Sequence, residues 1–220
     1  MISISLVSWI VAFAIAITVH EAAHAFMADR LGDPTARLMG RLSLNPSVHY
    51  DPVGTTLLLV LVVMRAIGIP VIPFGWAKPV PFDPYNLKNP RRDAAMISLA
   101  GPMSNFIVAI LFSIILRITI FPLSVYSYLF VFIYPIIILN IILGLFNLIP
   151  IHPLDGGKIF VGLLPADQAD EADIFLRRYG IIILFLLIFP SFGGTSPLFA
   201  VLGPLIDFIL TILIPGNFYI

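Results

Sequence analysis

The chain has 220 residues, of which 60% are hydrophobic and 11% charged, whereas a soluble domain of this size carries about a quarter charged residues. The apolar excess has to face lipid, and the length fits one compact domain. A formal net charge of zero leaves no basic face for nucleic acid and no acidic tail, and the absence of cysteine removes disulfides, Fe–S clusters and thiolate zinc sites, so that any metal must be held by His, Asp or Glu.

A membrane span needs about 20 mostly apolar residues. The first candidate covers residues 4–28; it carries no Lys or Arg at its start, as a cleavable signal peptide would, and is read as a retained span. A second apolar stretch covers 53–72, a third 94–116 and a fourth 125–146. After a polar stretch (Asp167, Asp170, Glu171, Asp173, Arg177, Arg178) comes an apolar block over 179–214. Pro190-Ser191-Phe192-Gly193-Gly194 breaks it, which predicts a hairpin of two spans. The fold class expected is an all-α polytopic membrane protein with about five transmembrane helices. A single membrane-embedded domain would fill residues 1–220, with a core over about 4–164 and a C-terminal helical hairpin over about 175–214.

Lys and Arg mark the cytoplasmic side of a membrane protein. Arg30, Arg37 and Arg41 follow the first span, and Lys78, Lys88, Arg91 and Arg92 precede the third. Both clusters are expected in the cytoplasm, which one full crossing by 53–72 would prevent. Either that stretch is re-entrant or lies in the interface, or the charge rule fails here. Arg65 within it and Pro70 and Pro73 at its end favour the re-entrant reading, because irregular backbone at membrane depth is tolerated where protein or water covers it.

The first span ends in His20-Glu21-Ala22-Ala23-His24. Residues four apart on a helix share a face, so both imidazoles can reach one metal ion, with Glu21 beside them to take a proton from the metal's water. Ionisable groups near the centre of a span cost roughly 2.5–3.5 kcal/mol each, so three within five residues call for a reason, and a bound cation supplies one. The plain alternative is a helix end in interfacial water. A bis-His haem site would need a histidine facing it from the third or fourth span, and those have none. A zinc site that keeps one position open needs a third protein ligand. The candidate is Asp155, after the fourth span, in Asn147-Leu148-Ile149-Pro150-Ile151-His152-Pro153-Leu154-Asp155-Gly156-Gly157. Pro150 and Pro153 break the helix, and Gly156-Gly157 permit a tight turn. The plain alternative is an ordinary loop aspartate.

These two motifs together resemble the site-2 protease family of intramembrane zinc metalloproteases. The His-Glu-x-x-His is met by His20, Glu21 and His24, and the family's Asn-x-x-Pro-x-x-x-Leu-Asp-Gly by Asn147, Pro150, Leu154, Asp155 and Gly156. The Gly101-Pro102-Met103-Ser104-Asn105 run is similar to the family's third core helix. The stretch 53–72 and the run 74–81 resemble its compact branch without a PDZ or CBS domain. The resemblance covers about residues 8–164. It implies one zinc ion per chain, held by His20, His24 and Asp155, with Glu21 as general base and Asn147 holding substrate or stabilising the oxyanion. A capping or interhelical hydrogen bond is the plain alternative for Asn147. Asn105 reads as a buried polar link between spans, and Asn140 as a packing residue. His152 reads as a solvated loop residue, and nothing is assigned to His49.

The expected partners are a transmembrane protein substrate and the lipid bilayer, with no nucleic acid. The expected location is the cell membrane, crossed several times, with the active site toward the cytoplasm. The segments 38–44 and 74–80 are expected to form short β-strands whose edge could hold an unwound substrate. The plain alternative is a cytoplasmic loop anchored by Trp76. A non-proteolytic divalent-metal carrier is the rival function, and a catalytically dead relative is disfavoured by the intact His20, Glu21, His24 and Asp155. The sequence sets neither a particular substrate nor an oligomeric state.

Overall fold

The computed structural model describes residues 2–66, 69, 75–118, 123–189 and 196–214. The described residues form eight α-helices: α1 (Ile2–Arg30), α2 (Thr35–Leu38), α3 (Gly54–Ala66), α4 (Pro90–Ile118), α5 (Leu123–Asn147), α6 (Asp155–Leu163), α7 (Ala166–Ile188) and α8 (Pro197–Leu213). Short 3-10 turns occupy Pro46–Val48 and Pro84–Asn86.

Helix α1 has no Gly or Pro to interrupt its 29 residues. It stops where Gly32 adopts φ +106 and the Asp33 N–H returns to the Ala28 carbonyl at 2.9 Å, a turn that caps the last free carbonyls. Helix α4 starts with Pro90, whose missing N–H costs nothing in the first turn, and its Asp93 accepts from the Asn89 N–H at 2.9 Å. Segments Leu6–Arg30, Pro90–Ile118 and Leu129–Asn147 are long and apolar enough to cross a membrane.

In the C-terminal block, the polar stretch from Asp167 to Arg178 is the first half of α7, and α8 has 17 residues. The break expected at Pro190–Gly194 lies outside the described residues. Helix α3 has 13 residues, about 20 Å at 1.5 Å per residue, against a hydrocarbon thickness of about 30 Å. The Asp33 carboxylate accepts from the Asp83 N–H at 2.7 Å and the Asn86 amide at 2.8 Å. The turn after α1 and the loop before α4 therefore meet at one end of the bundle, and the chain between them returns to the end it left. Pro70 and Pro73 lie outside the described residues.

The expected β-strands are a correction, because no strand occurs among the described residues. Leu38 closes α2, and Gly40 at φ +70 turns the chain, with the Arg41 N–H on the Ala36 carbonyl at 2.8 Å. Residues 75–80 carry no regular secondary structure, and the Lys78 N–H on the His49 carbonyl at 3.0 Å is one bond and not a ladder. Phe74 lies outside the described residues.

Helix α4 is the central element. It packs on α5 and α8 through Ala109, Leu116, Ile137, Ile141, Leu202 and Ile206. It meets α1 and α5 around Ala12, Val108 and Ile136. Buried alanines along α1 (Ala12, Ala16, Ala25, Ala28) allow the close approach. Helices α6 and α7 share Val161, Ala169 and Leu176.

Candidate metal centre

The last turns of α1 carry His20 and His24 inward, with their rings edge to face at 4.6 Å between centroids and both side chains buried. Asp155 reaches them from the N-terminus of α6. After α5 ends at Asn147, Pro150 and Pro153 keep the chain out of helix until Asp155 starts α6, where the helix's positive end favours a carboxylate. Gly156 and Gly157 form the first turn of α6 rather than a turn before it.

The three side chains converge tightly. Asp155 Oδ2 lies 3.1 Å from His20 Nε2 and 3.2 Å from His24 Nε2, and the two Nε2 atoms are 3.1 Å apart. On their far sides the imidazoles are committed to α4. His20 Nδ1–H donates to Asn105 Oδ1 at 2.6 Å, and His24 Nδ1–H donates to the Ile97 carbonyl at 2.7 Å. With both Nδ1 atoms protonated, each Nε2 presents a lone pair to the other and to a carboxylate oxygen. Three acceptors facing one another in a buried site repel unless a cation lies between them. Ligand atoms about 2.0–2.1 Å from a tetrahedral zinc are roughly 3.3 Å apart, close to the spacing here, so the donor set fits zinc. These three residues are the group of ligand-type side chains that converges among the described residues, within 4.8 Å of one another.

Glu21 is half-buried on the turn between the two histidines. Asn147 is not part of the convergence: its Nδ2 donates to the Leu143 carbonyl at 3.0 Å, one turn back on its own helix. Asn105 and Asn140 are both fully buried and joined, Asn105 Nδ2 donating to Asn140 Oδ1 at 2.8 Å. A groove of about 330 Å³ runs along another face of α1, lined by Val19, Ala22, Ala23, Phe26, Leu42 and Leu44.

Two features escaped the sequence. His152, expected to be solvated, pairs through Nε2 with Asp173 Oδ1 at 2.9 Å, and Asp173 Oδ2 accepts from Arg177 Nε at 2.7 Å. Burial raises the Asp173 carboxyl, but His152 and Arg177 hold it below its ordinary value. The segment bearing Asp155 is thereby tied to α7, across a separation of 21 residues that no local pattern reveals. His49 is buried as well, its Nε2–H donating to the Ser43 carbonyl at 2.9 Å.

The profile of Peptidase family M50 matches residues 118–187, the part that carries Asn147 and Asp155. The chain is 35% identical over 210 residues to "Putative zinc metalloprotease YwhC" of Bacillus subtilis (strain 168), covering 91% of this chain and 88% of that protein. It is 30% identical over 179 residues to "Putative zinc metalloprotease Rip2" of Mycolicibacterium smegmatis, covering 78% of this chain and 63% of that protein. A shorter match, 36% over 77 residues, covers 35% of this chain and 22% of "Zinc metalloprotease MJ0392" of Methanocaldococcus jannaschii. No solved structure matches the chain. With near-full-length similarity to a zinc metalloprotease, a donor set that fits zinc and three helices able to cross a bilayer, the chain is a membrane protein belonging to peptidase family M50, the site-2 protease family of zinc metalloproteases.

Proposed function

We propose that this chain is an intramembrane endopeptidase that hydrolyses peptide bonds of transmembrane proteins, with zinc held by His20, His24 and Asp155 and Glu21 as general base. The observation that carries it is the convergence of two Nε2 lone pairs and one carboxylate oxygen within 3.1–3.2 Å at the end of a membrane-spanning helix. Zinc, when bound, polarises the scissile carbonyl and brings the pKa of water toward about 7. Glu21, on the turn between the ligands, accepts the proton of the attacking water and passes it to the leaving amine. Asn147, 8 residues before Asp155, is the second donor for the developing oxyanion once its amide leaves the Leu143 carbonyl. The apolar groove between α1 and the segment of Leu42 and Leu44 is where an unwound substrate segment lies.

The whole chain forms one membrane-embedded domain: a core over about 4–164 and a C-terminal hairpin over about 175–214, whose α8 packs into the α4–α5 core. The end of the bundle that carries Arg30, Arg37, Lys88 and Arg91 faces the cytoplasm, with α3 re-entrant or interfacial and the catalytic centre reached from that side. The rival reading, a divalent-metal carrier, needs a chain of ligands across the bilayer, and the described residues hold one cluster.

The test measures bound zinc and cleavage of a model transmembrane substrate in the purified protein. Wild type holds about one zinc per chain, His20→Ala and Asp155→Ala lose it, and Glu21→Gln keeps zinc but loses cleavage by about 10²-fold or more. Cleavage by Glu21→Gln at the wild-type rate sinks the mechanism, and zinc retention by Asp155→Ala removes that residue from the site.

A further inference from the structure

Both histidines of the centre are seated on one stripe of α4. Ile97, Gly101 and Asn105 are spaced four apart and share a face. Ile97 gives its carbonyl to His24 Nδ1–H, and Asn105 gives Oδ1 to His20 Nδ1–H. Gly101 lies between them with no side chain to obstruct the rings; a Cβ there would stand 2.5 Å from His24 Nε2 and 2.7 Å from His20 Cε1.

A backbone carbonyl can only accept, so the His24 tautomer is set. The tautomer of His20 depends on which way the Asn105 amide points, and its other end decides that. Asn105 Nδ2 donates to the Ala16 carbonyl at 3.0 Å and to Asn140 Oδ1 at 2.8 Å. Asn140 is fixed in turn, its Nδ2 donating to the Ile136 carbonyl at 2.8 Å. Turning the Asn105 amide over would place oxygen against the Ala16 carbonyl and nitrogen against the Nδ1–H of His20, costing the three bonds that Asn105 makes. With Asn105 fully buried, water cannot repair such a loss.

We propose that Asn105 is a positioning residue of the zinc centre: braced by Asn140 and Ala16, it holds His20 with its Nε2 lone pair aimed at the metal position. The inference rests on His20 being a zinc ligand. It separates Asn105 from a mere link between helices, because a link requires only its Nδ2 bonds, whereas positioning requires the oxygen that faces His20.

The experiment measures zinc affinity by chelator competition, and the visible spectrum of the cobalt-substituted protein, on the full chain in detergent. The variants are Asn105→Leu, Asn105→Asp and Asn140→Leu. Asn105→Leu is expected to bind zinc about 10–100-fold more weakly than wild type and to alter the cobalt spectrum. Asn105→Asp keeps an acceptor for His20 while losing both donated bonds. It is expected to bind zinc at least tenfold more tightly than Asn105→Leu, although the metal-free forms of both melt below wild type. Asn140→Leu is expected to weaken zinc less than Asn105→Leu does. If Asn105→Leu does not fold, Asn105→Ala, which also lacks an acceptor, is judged by the same criterion. A loss below tenfold, or Asn105→Asp no better than Asn105→Leu, overturns the inference while leaving the zinc site standing. Wild-type protein that binds no zinc, or His20→Ala that binds it as tightly as wild type, overturns the proposed function and this inference with it.

Discussion

Gly101 is the residue whose smallness matters most to the centre. The two imidazoles occupy the space its side chain would take, with His24 Cε1 and Nε2 2.5 Å from a Cβ built there. A methyl group must push the rings off α4 and break the bonds to Ile97 and Asn105. Gly101→Ala is therefore expected to lose zinc and to destabilise the protein by about 1–3 kcal/mol, as overpacking does. Metal content and melting temperature check this; wild-type zinc content in the variant would mean that the rings have room to retreat. The sequence pointed to Gly101 only as part of the run 101–105 that is similar to the family's third core helix. The four-residue spacing of His20 and His24 was readable because helix geometry is local, whereas the atoms on the far side of each ring lie 73 and 85 residues away. Asn147 shows the converse: the motif assigns it a role, and here its amide is engaged with Leu143.

At the level of elements, the α1–α2 turn and the loop before α4 are joined by one carboxylate. Asp33 is fully buried, and its oxygens accept from the Thr35 N–H at 3.1 Å, the Thr35 hydroxyl at 2.5 Å, the Asn86 amide and the Asp83 N–H. Burial acts to raise its pKa, but these hydrogen bonds outweigh it and leave the group below its ordinary value. A carboxyl depressed in the folded state contributes stability that is complete above the unfolded value, about 3.9, and is lost as pH falls through the lower folded value. Wild type should hold this contribution from neutral pH down to about 4 and lose it below. Asp33→Asn should lower stability at pH 7 by about 2 kcal/mol and show a shallower fall in melting temperature below pH 4. Parallel acid melting curves for the two proteins would count against the tie. The ends of α1, α4 and α5 were legible because apolar runs are compositional, whereas α7 begins within the polar stretch. The strands expected at 38–44 and 74–80 misled because β-compatible residues form strands only with a ladder partner. At 38–44 the chain closes α2 and turns at Gly40, and residues 75–80 take no regular structure and make one backbone bond, from Lys78 to His49.

For the molecule as a whole, the clustered basic residues give a prediction of sidedness. The chain has no cysteine, so a single introduced thiol is a clean reporter. Arg37 is exposed at the end of the bundle where α1 finishes and α4 begins. Arg37→Cys in intact cells should resist a membrane-impermeant maleimide and react after the membrane is opened; labelling of intact cells would invert the orientation. The sequence by itself determined the membrane class, the three helices long and apolar enough to cross a bilayer, the His-Glu-x-x-His on the first of them and the Leu-Asp-Gly that follows the last of them, because each depends on composition or on residues within a few turns. Only the tertiary structure decided that α4 carries the seats of both imidazoles, that Asn105 faces His20 with its oxygen, and that His152 ties the Asp155 segment to Asp173. Those contacts join side chains far apart in the chain, and buried polar groups at that depth are set by whichever partner the packing brings to them.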